Sequence, residues 1–127
     1  MNQENKIQEF TDLNSWKTAH DLVLSVYILT KKFPLSERFG LISQVQRASV
    51  SITSNIAEGF CRHSYKEKVQ FYYQAHGSLT EVKNQLMLAK DLNYITNPDF
   101  NIIIEKVATS QRLLQGLTKK SKTFLRS

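Results

Sequence analysis

Apolar residues recur every three or four positions through four stretches of the chain, and a break bounds each stretch. That spacing aligns side chains on one face of a helix. The first stretch runs from about Ser15 to Lys32 and carries Trp16, Ala19, Val23, Val26 and Thr30 as its stripe. Leu22, Leu24, Ile28 and Leu29 widen its apolar surface well beyond that stripe. A surface helix needs only one stripe, so the surplus predicts cover on two sides, the second from another subunit. Phe33-Pro34 ends this helix, because the residue before proline is steered away from helical angles. Asp12, Asn14 or Ser15 caps its start, and Ser36 caps the next.

The second helix is expected from about Glu37 to Gly59, with Gly59 as the left-handed residue after its end. Leu41, Val45, Ala48, Ile52 and Ile56 form its apolar face. Ser49, Ser51, Ser54 and Ala57 lie among them, small enough to let a neighbouring helix come close. A capping box at Ser64-Tyr65-Lys66-Glu67 opens a third helix, from about Tyr65 to Asn93. Its seam of Tyr72, Ala75, Leu79, Val82, Leu86 and Ala89 is heptad-like. Gly77, with Ala75 and Ser78, points to close approach of another backbone. Asn97-Pro98 starts the fourth helix, from about Pro98 to Ser121, with Asn97 as cap and Pro98 at its first position. Phe100, Ile103, Val107, Ser110, Leu114 and Leu117 line it. Four helices joined by short breaks predict an all-α, antiparallel up-down-up-down four-helix bundle. Residues 1–127 form one domain in this reading.

Composition agrees with a helical protein of modest hydropathy. Only 4 Gly and 2 Pro occur in 127 residues, and the mean hydropathy is −0.36. The N-terminus lacks signal-peptide order, no apolar run reaches membrane-spanning length, and Cys61 is the single cysteine. The expected location is therefore the cytoplasm. Net charge is +6 and unevenly placed. Residues 98–127 hold Lys106, Arg112, Lys119, Lys120, Lys122 and Arg126 against Asp99 and Glu105, a local charge of +4. A polyanion partner explains such a segment, and so does a solvated tail. Arg62, His63, Lys66 and Lys68 make a second basic cluster, around the turn between the second and third helices. It fits a phosphate site at a helix N-terminus or a solvated turn.

Candidate chemistry is sparse. Arg47, Asn55, Glu58 and Glu81 are the conspicuous polar residues beside the apolar seams. Burying one without a partner costs ~1–3 kcal/mol, so a hydrogen-bonded network that fixes helix register is the favoured reading over an acid–base or metal site. His20, His63 and His76 lie on three segments and form no metal-ligand pair. Ser51 and Ser54 belong to no nucleophile turn, and Cys61 has no sequence-adjacent partner. No catalytic residue, cofactor or metal is assigned. Phe60, Tyr65, Phe71, Tyr72 and Tyr73 form a ring-rich stretch that reads as a base-stacking platform, although Tyr72 sits on the core seam.

The residues Leu41-x-x-Gln44-x-x-Arg47-Ala48-x-x-Ser51-Ile52-x-Ser54-Asn55-Ile56-Ala57-Glu58-Gly59 carry a recognisable signature. Together with Phe10-x-x-Leu13-x-x-Trp16, Ala75-His76-Gly77-Ser78-Leu79-x-Glu81 and Leu92-x-Tyr94-Ile95, they resemble the proteins of 23S ribosomal RNA intervening sequences. Thr53 departs from the pattern, where many relatives carry Pro, as do Val82-Lys83, where an acidic pair is more typical. The resemblance implies a bundle that assembles into a closed ring of five. It also implies kinship with the accessory protein of diversity-generating retroelements, a basic ring that binds a reverse transcriptase and nucleic acid. The expectation is a non-enzymatic homo-oligomeric scaffold that binds RNA or a nucleic-acid-handling protein. The basic residues expected to matter are Arg62, Lys66, Arg112, Lys119, Lys120, Lys122 and Arg126. The alternative is a structural or partner-regulating oligomer with no nucleic-acid role.

Overall fold

The computed structural model describes residues 6–125. Four helices follow one another: α1 (Asn14–Thr30), α2 (Leu41–Phe60), α3 (Tyr65–Asp91) and α4 (Asn97–Lys122). Single 3-10 turns, Phe10–Asp12 and Leu35–Glu37, precede α1 and α2. No strand occurs among the described residues. Each helix packs on two neighbours, α1 on α2 and α4, α3 on α2 and α4, with α2 against α3 the most extensive pairing. The direction of α4 against α1 is read from two ion pairs. Lys32, just past α1, meets Asp99 in the first turn of α4, while Asp21 in mid-α1 meets Lys106 further along. The two helices are antiparallel.

The periodic stripes are the core. Val45, Ile52 and Ile56 of α2, Tyr72, Ala75, Val82 and Leu86 of α3, and Val107 and Leu114 of α4 are buried together with Ala19, Leu22 and Val26 of α1. Of the surplus on α1, Leu22 and Leu29 join the core, whereas Leu24 and Ile28 are left outside. Ile28 is 64% exposed, and Ile102 of α4, which lines the same shallow groove, is 61% exposed.

Helix ends differ from the sequence expectations for identifiable reasons. The α2 helix starts at Leu41, four residues later than expected. Gly40 has non-helical angles, and Ser36 lies inside the 3-10 turn without a capping bond. The cap comes instead from Glu37, whose carboxylate accepts the Leu41 N–H at 3.0 Å and the Tyr94 hydroxyl at 2.9 Å. The α1 N-cap is Leu13, and Asp12 instead accepts the N–H groups of Gln8 and Glu9. Ser64 caps α3 as expected, accepting from Glu67 N–H. Thr96, one residue before Asn97, caps α4 by accepting from Asp99 N–H, which puts Pro98 at the second helical position.

Gly59 is not left-handed. It lies within α2, where a Cβ would come 2.7 Å from Tyr72 Cε1, so its role is to let α2 meet α3. The left-handed terminus belongs to Asn93 (φ 65°) after α3. There Tyr94 N–H donates to Ala89 O and Asn93 N–H to Lys90 O, a closed pair that satisfies the last carbonyls of the helix. The close approach expected at Gly77 is absent within the protomer, since no described atom lies within 4 Å of a Cβ placed there.

Candidate nucleic-acid interface

An up-down-up-down chain brings the N-termini of α1 and α3 and the C-termini of α2 and α4 to one end of the bundle. Both basic clusters therefore arrive at that end. Tyr65 at the start of α3 stacks on Phe124 just past α4, with ring centroids 4.8 Å apart. Lys122 Nζ lies 5.6 Å from the Tyr73 centroid. Lys68 of α3 and Lys120 of α4 line one pocket, whose walls include Phe60, Tyr65 and Phe124. Lys119 and Lys122 line a neighbouring groove with Tyr73 and His76.

The individual bases are not equivalent. Arg62 is occupied: Nη2 donates to Glu58 Oε1 at 3.0 Å, Nη1 stands 4.0 Å from Glu67 Oε1, and the guanidinium covers the Phe71 ring at 4.6 Å. Lys66 is exposed and makes no ion pair among the described residues. Arg112 shares the α4 stripe with Lys119, about 10 Å further up the helix. Arg126 lies outside the described residues. Lys68, absent from the basic residues expected to matter, is part of the site. Its ammonium donates to Phe60 O at 2.6 Å and lies 5.4 and 5.7 Å from the Phe60 and Tyr65 ring centroids. Burial pulls its pKa below the ordinary lysine value. Its place one turn after the Ser64 cap was the available signal, because position 68 falls on the face that turns back toward α2.

The ring-rich stretch separates into two kinds. Tyr72 is 2% exposed, and burial pushes its hydroxyl up to about 12. Tyr73 is 50% exposed, and Tyr65 and Phe124 are also accessible. His76 Nε2 lies 3.2 Å from Thr118 Oγ1. The Thr118 hydroxyl donates its only proton to Leu114 O, so His76 is the donor and carries its proton on Nε2. Burial lowers its pKa from 6.5.

The polar group on α2 and α3 does not form the expected network within the protomer. Arg47, Glu58 and Glu81 are exposed. Glu58 pairs with Arg62, and Glu81 accepts from Gln85 Nε2 on its own helix. Arg47 has no ion pair among the described residues. Asn55 turns back to Ser51, donating to its carbonyl and hydroxyl. The bond that does cross between α2 and α3 joins Ser51 Oγ and Ser78 Oγ at 2.8 Å. It was missed because both serines read as small packing residues.

Nothing in this arrangement resembles a reaction centre. Cys61 is exposed, His20 stacks on Trp16, and no group of three metal-ligating side chains converges among the described residues. No helix among them is long and apolar enough to cross a membrane.

Comparison with curated proteins finds no match. Among solved structures, the fold is similar to a protein of unknown function from the S23 ribosomal protein family of Bacteroides thetaiotaomicron. The two share 21% identity and a TM-score of 0.76, over 83% of this chain and 98% of the other. The model of the 23S rRNA-intervening sequence protein family matches residues 11–116, which takes in the α2 signature and all but the last turns of α4. By its bundle and by that match, the chain belongs to the 23S rRNA-intervening sequence protein family.

Proposed function

We propose that this protein is a non-enzymatic, homo-oligomeric helical-bundle scaffold that binds RNA through the end of the bundle where α2 meets α3 and α4 finishes. The observation that carries this reading is the convergence there of Lys66, Lys68, Lys119, Lys120 and Lys122 beside accessible aromatic rings. Phosphate contacts from such bases release counterions, so binding would be weakly sequence-dependent and steeply salt-dependent. Self-association is supported by the uncovered apolar face of α1 and α4 at Leu24, Ile28 and Ile102. A ring of five follows the resemblance noted above, and each copy in a cyclic ring presents the same end.

A second reading keeps the oligomer and drops the nucleic acid. It is favoured by the last-turn placement of Lys119, Lys120 and Lys122, where cations also complement the dipole of α4. The two readings separate in one variant. Replacing Lys119, Lys120 and Lys122 with Glu should weaken RNA binding and flatten its salt slope by about 2. Light scattering should show the assembly unchanged. RNA affinity equal to wild type in that variant rejects this end of the bundle as the RNA site, and no RNA binding by the wild type at low salt rejects the RNA role. A monomer at micromolar concentration rejects the scaffold.

A further inference from the structure

Lysines can meet the phosphates of paired and unpaired strands alike, so positive charge alone does not select an unpaired strand. The basic end offers a second feature that does. Tyr73 stands half-exposed on α3, with Lys122 Nζ 5.6 Å from its ring centroid and Lys119 lining the same groove. The groove is open to solvent, and Tyr73 is half uncovered in it. Eight residues earlier, about 12 Å along α3, Tyr65 and Phe124 form a second accessible aromatic station. Two stations at that separation can serve two different bases.

Core demands do not account for Tyr73. Tyr72, its neighbour, fills the core and is buried, and Phe71 lies under the Arg62 guanidinium. Tyr73 falls on another face of α3 and stays half in solvent beside Lys122, while Tyr65, two turns before Tyr72 on the same face, is partly covered by Phe124. A hydrophobic protein partner would have to desolvate the Lys122 ammonium, whereas a nucleotide brings both a flat base for the ring and a phosphate for the amine. In a duplex the base faces are occupied by stacking on one another, and side chains cannot reach them. Aromatic side chains therefore select unpaired bases.

We infer that this end of the bundle takes single-stranded RNA, with an unpaired base stacked on Tyr73 and the flanking phosphates on Lys119 and Lys122. The inference rests on the RNA-binding reading above and adds the strand class and the residue that selects it.

The test uses the full-length protein and fluorescence anisotropy. The probes are a labelled oligouridine and a blunt RNA duplex of the same length, each titrated over a range of salt. Wild type should bind the oligouridine more tightly than the duplex. Tyr73→Ala should weaken oligouridine binding by about 5- to 100-fold while leaving the salt slope and duplex affinity unchanged, and Tyr73→Phe should restore the affinity. The pair Lys119→Gln and Lys122→Gln should instead weaken both probes and lower the slope by about 1.4. Equal oligouridine affinity in Tyr73→Ala and wild type overturns the inference while leaving RNA binding in place, as does tighter binding of the duplex. Loss of the oligomer in Tyr73→Ala assigns the ring to a subunit interface and also overturns it. Absence of binding to either probe at low salt rejects both readings together.

Discussion

Replacing Gly59 with Ala should leave the protein less stable than the same replacement at Gly77, which should stabilise it. A methyl group at Gly59 would sit 2.7 Å from Tyr72 Cε1 and 3.0 Å from both Tyr72 Cδ1 and Phe71 Cβ. Neither neighbour can yield easily. The Tyr72 ring is enclosed by the core, and Phe71 Cβ is fixed to the α3 backbone. Overpacking of this kind costs ~1–3 kcal/mol. Alanine returns up to ~1 kcal/mol through its better helix propensity, so the expected net loss is about 0–2 kcal/mol. At Gly77 a methyl group meets nothing within 4 Å, and only the propensity gain of ~1 kcal/mol remains. The propensity gain cancels between the two variants, so they should differ by the overpacking cost of ~1–3 kcal/mol. Urea unfolding followed by far-UV circular dichroism measures this, at one protein concentration because association is linked to stability. A Gly59→Ala that stabilises as much as Gly77→Ala would refute the tight α2–α3 contact. A destabilising Gly77→Ala would show that this face of α3 is covered by another copy, and would move the close approach expected at Gly77 from the protomer to the interface.

Two further outcomes follow from titratable groups. Burial lowers the His76 pKa, so the unfolded chain takes up its proton at higher pH than the folded one, and stability is lost as pH falls from about 6.5 toward the lower folded value. His76→Gln, which keeps a donor for Thr118, should flatten the fall in denaturation midpoint over that window, and an unchanged profile would refute the assignment. Glu37 is held below the ordinary carboxylate range first by the Leu41 N–H and then by the Tyr94 hydroxyl. Its contribution is present above the unfolded carboxylate value and lost as pH falls through the folded one. Glu37→Ala and Tyr94→Phe should each lower the melting temperature and be non-additive in a double-mutant cycle. Full additivity would show that the bond contributes nothing.

The core was legible because burial in a bundle is a consequence of spacing. Once Tyr72, Ala75, Leu79, Val82, Leu86 and Ala89 recur at threes and fours, they must share a face, and an apolar face of that length must be covered. The polar residues were less legible for the same reason. Arg47 and Glu58 do share a side of α2, but periodicity does not say which neighbour that side meets. In the structure Asn55, Glu58 and Glu81 each find partners four residues away on their own chain segment. A partner on the same rigid helix requires little extra ordering, whereas a cross-helix network must hold several long side chains at once. Helix ends were misplaced where the cap is not a short side chain at the expected position. Glu37 reaches Leu41 from a preceding turn, and no local N-cap pattern encodes that.

The basic end follows from topology more than from charge counting. In an antiparallel bundle the α2–α3 turn and the C-terminus of α4 must lie at the same end, so the two basic clusters were bound to meet once four helices were inferred. The rotation of each helix about its axis decides what they can do there, and it changes the count. Arg62 is matched by Glu58 and Glu67 and covers Phe71. Lys68 donates to the Phe60 carbonyl at the end of α2. A phosphate must displace these contacts before it can use either base. Lys66 and the last turn of α4 carry no such obligation among the described residues, apart from the contact of Lys122 with Tyr73. The uncommitted positive charge of this end is therefore weighted toward α4, where Lys122 lies beside the half-exposed Tyr73.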